Sequence, residues 1–106
     1  MSKYLWKVRY TASGMKGVMQ EGGNARRNVA EKAVQSAGGQ LDSFHFAFGD
    51  TDVYCIVDFP DAAACASAAM HVSAAGGATV ETTVLLSPDE IDRASSMDLD
   101  YQPPGA

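Results

Sequence analysis

A chain of 106 residues with 46% apolar side chains is long enough for one domain and supplies one sizeable core. A net charge of -5, with no Lys/Arg run, argues against nucleic acid or an anionic membrane as a partner. No segment approaches the ~20 apolar residues of a membrane span, and MSKYLWKVRY has charges where a signal peptide needs an apolar run. Cys55 and Cys65 lie in apolar segments outside any CxxC or Cys/His metal spacing. They predict two buried thiols in a reducing cytoplasm, with no metal and no cofactor.

In chain order, Lys3–Thr11 alternates strictly, with Tyr4, Trp6, Val8 and Tyr10 on one face, and reads as a strand. Ala12–Gly23 predicts a brief helical turn capped by Ser13 and broken by Gly22-Gly23. Asn24 is positioned to cap a longer helix, Ala25–Ala37, whose apolar stripe is Val29, Ala30, Ala33, Val34 and Ala37. Arg26 falls within that stripe. Strands follow at Leu41–Phe48 and Asp52–Phe59, joined by Gly49-Asp50-Thr51-Asp52 as a tight hairpin. Asp61 caps a second helix, Ala62–Ala74, with Ala62, Cys65, Ala69 and Val72 as its expected inner face, flanked by Ala66 and Met70. Thr79–Leu86 is a fourth strand, and Ser87-Pro88 opens a short helix, Pro88–Ser95. The expected organisation is a domain over 1–95 and an extended tail over 96–106, whose Met97, Leu99 and Tyr101 need a surface to lie against.

The order is βαββαβ plus a terminal helix. It predicts an α+β, ferredoxin-like fold: a four-stranded antiparallel sheet, order 4-1-3-2, with the helices on one face. Tyr4, Trp6, Val8, Tyr10, Phe44, Phe46, Phe48, Val53, Cys55, Val57, Phe59, Val80, Val84 and Leu86 belong under the helices. The opposite face is mixed: Leu5, Lys7, Arg9, Ser43, His45, Tyr54, Ile56, Asp58, Glu81, Thr83 and Leu85. A two-residue turn at Asp50-Thr51 pairs Phe48 with Val53, Phe46 with Cys55 and His45 with Ile56, which keeps the faces consistent. A half-polar open face predicts a homodimer in which two sheets meet around a small cavity. The alternative is a solvated face with ordinary cross-strand ion pairs.

With these residues in place, the chain resembles the GYD domain family of small bacterial and archaeal proteins of the dimeric α+β barrel group. The resemblance rests on Tyr10-Thr11 followed by Gly14 and Lys16-Gly17, on Ala25-Arg26-Arg27, Gly38-Gly39 and Phe46-Ala47-Phe48-Gly49 leading to Asp52. It continues through Val57-Asp58, Pro60-Asp61, Val84–Asp89 and the ending Tyr101-Gln102-Pro103-Pro104-Gly105. The name-giving Gly-Tyr-Asp is here Gly49-Asp50-Thr51-Asp52: the glycine and the aspartate remain and the tyrosine does not. The resemblance implies the fold and dimerisation and supplies no chemistry.

Candidate chemistry is thin. His45, with Tyr54 and Asp58 on the neighbouring strand, forms a possible base or ligand contact, against a plain interface histidine. His71 reads as a surface residue. Lys16, Arg26 and Arg27 surround a glycine-rich bend able to hold an anion, and an arginine on an apolar stripe must find a partner. The competing reading pairs Arg26 with a carboxylate. Trp6 and Tyr10 invite comparison with cofactor-free monooxygenases and haem-degrading enzymes of the same barrel, but their shared face makes packing the default. The expectation is a cytoplasmic, dimeric, non-catalytic module that binds a small anionic or polar molecule or a protein partner, or serves in assembly. Lys7, Arg9, His45, Tyr54, Asp58 and Arg26 are its ligand-binding residues. The alternative is a cofactor-free, monooxygenase-like enzyme.

Overall fold

A computed structural model describes residues 1–105. Its elements are β1 (Ser2–Tyr10), α1 (Ala12–Glu21), α2 (Gly23–Ser36), β2 (Gln40–Phe46), β3 (Val53–Phe59), α3 (Ala62–Ala74), β4 (Ala78–Leu85) and α4 (Pro88–Ser95). The sheet is antiparallel in the order β2-β3-β1-β4, the predicted order read from the other edge. Alternation explains the core. Tyr4, Trp6 and Val8 of β1 and Val53, Cys55, Val57 and Phe59 of β3 point to one side and are buried. Val34 of α2 and Cys65 and Ala68 of α3 close over them. Phe59 sits between Tyr4 and Trp6, with ring centroids 6.2 and 5.5 Å away. Such ring pairs are worth about 0.5–1.5 kcal/mol beyond the area they bury.

The hairpin differs from the predicted one. Ala47 donates its N–H to Asp52 O at 2.8 Å, so Phe48–Thr51 form a four-residue loop. Phe46 pairs with Val53, Phe44 with Cys55 and His45 with Tyr54. The register has slid by two residues. A slide of two preserves every facing, so the face assignment survives the wrong turn. Phe48 is left in the loop, fully exposed rather than under the helices. A β-bulge between Leu41 and Ser43 then adds one residue at Asp42. It rotates Leu41, which strict alternation puts on the mixed face, into the core at 7% exposure.

Three helix details also differ. The cap of α1 is Thr11, whose Oγ1 accepts the Gly14 N–H at 3.1 Å, rather than Ser13. Gly22 rather than Asn24 starts α2: its φ of 90° lets the chain turn sharply from α1 into α2. In α3 the buried pair is Cys65 and Ala68, while Ala62, Ala66 and Met70 are exposed. Alanine on every side of α3 gives little contrast to choose a face by. The end of the fourth strand departs too. Ala78 and Val80 lie under the helices, but Val84 and Leu86 stay 64% and 56% exposed because the helical layer stops short of them. Ser87 and Glu90 form a full capping box at the start of α4. That helix has no buried residue, and Ile91, Met97, Leu99 and Tyr101 are exposed. The radius of gyration, 17.0 Å, exceeds the ~13 Å of a compact chain of this length.

Candidate ligand cavity between the sheet and the helices

Small residues on α2 face large ones on the sheet. Val29, Ala30 and Ala33 sit opposite Trp6, Val8, Tyr10 and Phe44, and the short side chains leave a cavity of ≈ 80 Å³. Cys55, Val72, Ala78 and Val80 complete its wall, and Arg26 is the charged residue in it. An outer recess of ≈ 440 Å³ shares Tyr10, Arg26, Val29, Val72 and Ala78 with this cavity and is floored by Gly14, Gly17, Gly76 and Gly77. Together they form an apolar interior with a wider, more polar mouth, the usual build of a small-molecule site.

The polar groups at the junction are held by identifiable contacts. Arg26 Nη1 donates to Glu21 Oε2 at 3.3 Å, across the turn between α1 and α2. The Arg26 guanidinium stands beside the Tyr10 phenol at this junction. Burial pushes the phenol's pKa up, and the guanidinium pulls it back only in part. The backbone of Tyr10 is fixed by Asp52, whose carboxylate accepts the Tyr10 N–H at 2.8 Å while its own N–H donates to Val8 O at 2.9 Å. The aspartate of the hairpin motif therefore extends the β1 ladder and positions a cavity residue. Thr11 fastens the other side. Its N–H donates to Gly77 O at 3.0 Å, and its hydroxyl lies 3.0 Å from Gly76 O and 3.2 Å from Gly77 O. Gly14 then passes so close that an added Cβ would lie 1.9 Å from Gly77 O. A side chain at 14 would lift α1 off the mouth of the recess.

Cys55 and the Trp6 indole belong to this wall, and Cys65 lies against Trp6. Burial pushes Cys55 up to about 12, so it is neither nucleophile nor ligand at neutral pH. Cys65 is raised for the same reason, and its contact with Trp6 opposes the rise. The Trp6 indole N–H is buried without a well-formed hydrogen bond among the described residues. It leans on that thiol, a weak acceptor.

The six residues expected to bind a ligand are divided between the two faces. Arg26 lies on the helix side at the cavity mouth. On the open face, Lys7 pairs with Tyr54 and Glu81, and Tyr54 pairs with His45, giving a row across all four strands. Arg9 stands beside Thr79. Asp58 does not join His45. The two-residue slide brings His45 opposite Tyr54, and Asp58 lies four residues on from there, roughly 13 Å along the strand. There it binds the Lys3 ammonium at 3.0 Å, and Lys3 also pairs with Asp42 at the bulge. His45, Tyr54 and Asp58 therefore form no triad. Sequence reasoning missed Glu21, Ala30 and Ala33 as site residues. The available signals were a carboxylate five positions before Arg26 and two alanines on the stripe opposite the aromatic strand.

Fold and cavity define an α+β domain with an open antiparallel sheet and a small, largely apolar space between its layers. The chain belongs to the GYD domain family, whose profile matches residues 4–95. No curated protein and no solved structure matches it. Among the described residues, no helix is long and apolar enough to cross a membrane, and no group of three His, Cys, Asp or Glu could hold a metal ion.

Proposed function

We propose that this GYD domain is a cytoplasmic, homodimeric, non-catalytic module that binds a small molecule in the cavity of each protomer. The observation that carries the binding reading is the ≈ 80 Å³ apolar space ending at Arg26 and Tyr10. Dimerisation is supported by the open sheet face, where Leu5, Ile56 and Leu85 are half-buried apolar groups among Lys7, His45, Tyr54 and Glu81. Size-exclusion chromatography with light scattering should give a dimer at micromolar concentration; a monomer there removes that half of the proposal. Crystals of the chain purified natively from cells should carry ligand density between Trp6 and Arg26. Density beside Lys7 and His45 instead would move the site to the dimer interface.

A second reading, a cofactor-free enzyme of the monooxygenase type, is favoured by one observation. Trp6 and Tyr10 line the cavity as well as packing the core. It requires oxygen uptake in the presence of an electron-rich aromatic ligand, diminished in Tyr10→Phe. A ligand bound with no oxygen consumed leaves the binding module.

A further inference from the structure

We propose that the cavity takes a small monocarboxylate with an apolar body, and that Glu21 stands in for the ligand carboxylate in the free chain. This rests on the binding reading above and deepens it. The walls fix the body of the ligand. Apart from Arg26 and the Tyr10 phenol, every wall residue is apolar, a thiol or an indole, so a second charge inside would find no partner. An interior of ≈ 80 Å³ is about half the size of a cavity that admits benzene, so it holds a branched alkyl group or part of one ring. The rest of the molecule extends into the ≈ 440 Å³ recess.

The mouth fixes the charged end. A guanidinium is always charged and presents five donors in a fork that matches a carboxylate. Here one of those donors reaches Glu21 Oε2 at 3.3 Å, a long and single contact rather than a paired one. Glu21 is itself the last residue of α1 and remains 47% exposed, so it can leave for water at little cost. A ligand carboxylate arriving from the recess meets the same guanidinium and the Tyr10 hydroxyl. It offers two oxygens where Glu21 engages one. Glu21 is therefore a competitor for its own site, and removing its charge should help the ligand.

The assay is built into the fold. Trp6 is the single tryptophan and lines the cavity, so its fluorescence reports occupancy. The probes are benzoate and 3-methylbutanoate, with benzyl alcohol as the uncharged counterpart. Benzoate should perturb Trp6 saturably and at least about tenfold more tightly than benzyl alcohol. Arg26→Gln should remove that preference, weakening benzoate far more than benzyl alcohol, and Arg26→Lys should fall between. Glu21→Gln should tighten benzoate about two- to fivefold and leave the alcohol unchanged. Equal binding of acid and alcohol, indifferent to both substitutions, overturns the carboxylate assignment and leaves the binding module standing. If no probe perturbs Trp6 up to millimolar concentration, the carboxylate assignment falls, and the ligand density sought between Trp6 and Arg26 alone decides the binding module. Circular dichroism of each variant guards against misfolding as the cause.

Discussion

Filling the space beside α2 should stabilise the protein while closing its site. Ala30 faces the cavity and lies on a regular stretch of α2, so a larger aliphatic residue there grows into free volume. Cavities cost about 24 cal/mol per Å³, so the whole ≈ 80 Å³ represents at most about 2 kcal/mol. The three extra carbons of Ala30→Leu fill only part of it, and leucine loses about 0.2 kcal/mol of helix propensity against alanine. The expected gain is about 1 kcal/mol, or roughly 4–8 °C in Tm for a domain of this size. Urea unfolding followed by far-ultraviolet circular dichroism measures it, with an unchanged slope showing that the same two states are compared. The same variant should lose the Trp6 response to benzoate. A loss of 1 kcal/mol or more would mean that the leucine is overpacked, and the space beside Ala30 would not be there.

Gly39→Ala should cost about 2–3 kcal/mol in urea melts, because its Cβ would lie 2.4 Å from Asp58 O and 2.7 Å from Phe59 Cδ1 in the core. Gly49→Ala, with nothing within 4 Å, should stay within about 0.5 kcal/mol of the parent, and the contrast tests the packing of β2 on β3. Neither thiol should react with iodoacetamide at pH 8 until the chain is unfolded, as read by intact mass. Cys55 is held protonated in the fold, so its contribution to stability is complete below the ordinary thiol pKa and fades as pH rises toward about 12. Asp42 runs the other way: its hydrogen bond from Lys3 holds its pKa below the usual carboxylate value. Its contribution is present above that usual value and lost as pH falls through the lowered one, so Lys3→Met should flatten the acid limb of a stability–pH profile. Deleting 96–106 should leave the fold intact by circular dichroism and weaken self-association if Met97, Leu99 and Tyr101 dock on a second copy; unchanged light scattering would contradict that.

Periodicity made the sheet legible, and the same logic shows where it failed. Trp6, Cys55 and Phe59 were placed correctly because facing depends only on odd or even position, which a four-residue loop in place of a two-residue one leaves intact. Strict alternation would send Leu41 to the mixed face; a single inserted residue at Asp42 reverses parity and turns it into the core, and nothing in Leu41-Asp42-Ser43 marks a bulge. The loss of Asp58 from His45 has another cause. Distance along a strand depends on register itself, not on its parity. Arg26 stood out as an arginine on an apolar stripe, and that oddity led to the cavity. The cavity itself was hidden, since its existence depends on how far apart Ala30 and Trp6 are held, a three-dimensional quantity that Thr11, Gly14 and Asp52 set from outside the wall.

The two borders of the sheet are not equivalent. At β2 the extra residue at Asp42 kinks the outermost ladder and places a carboxylate beside Lys3, so a foreign chain would find few aligned amides there. At β4 the ladder is regular, and Val84 and Leu86 stand beside it uncovered. Indefinite edge-to-edge growth needs two matching borders, and this molecule presents one. Any pairing through these borders would close after two copies rather than run on as a fibre.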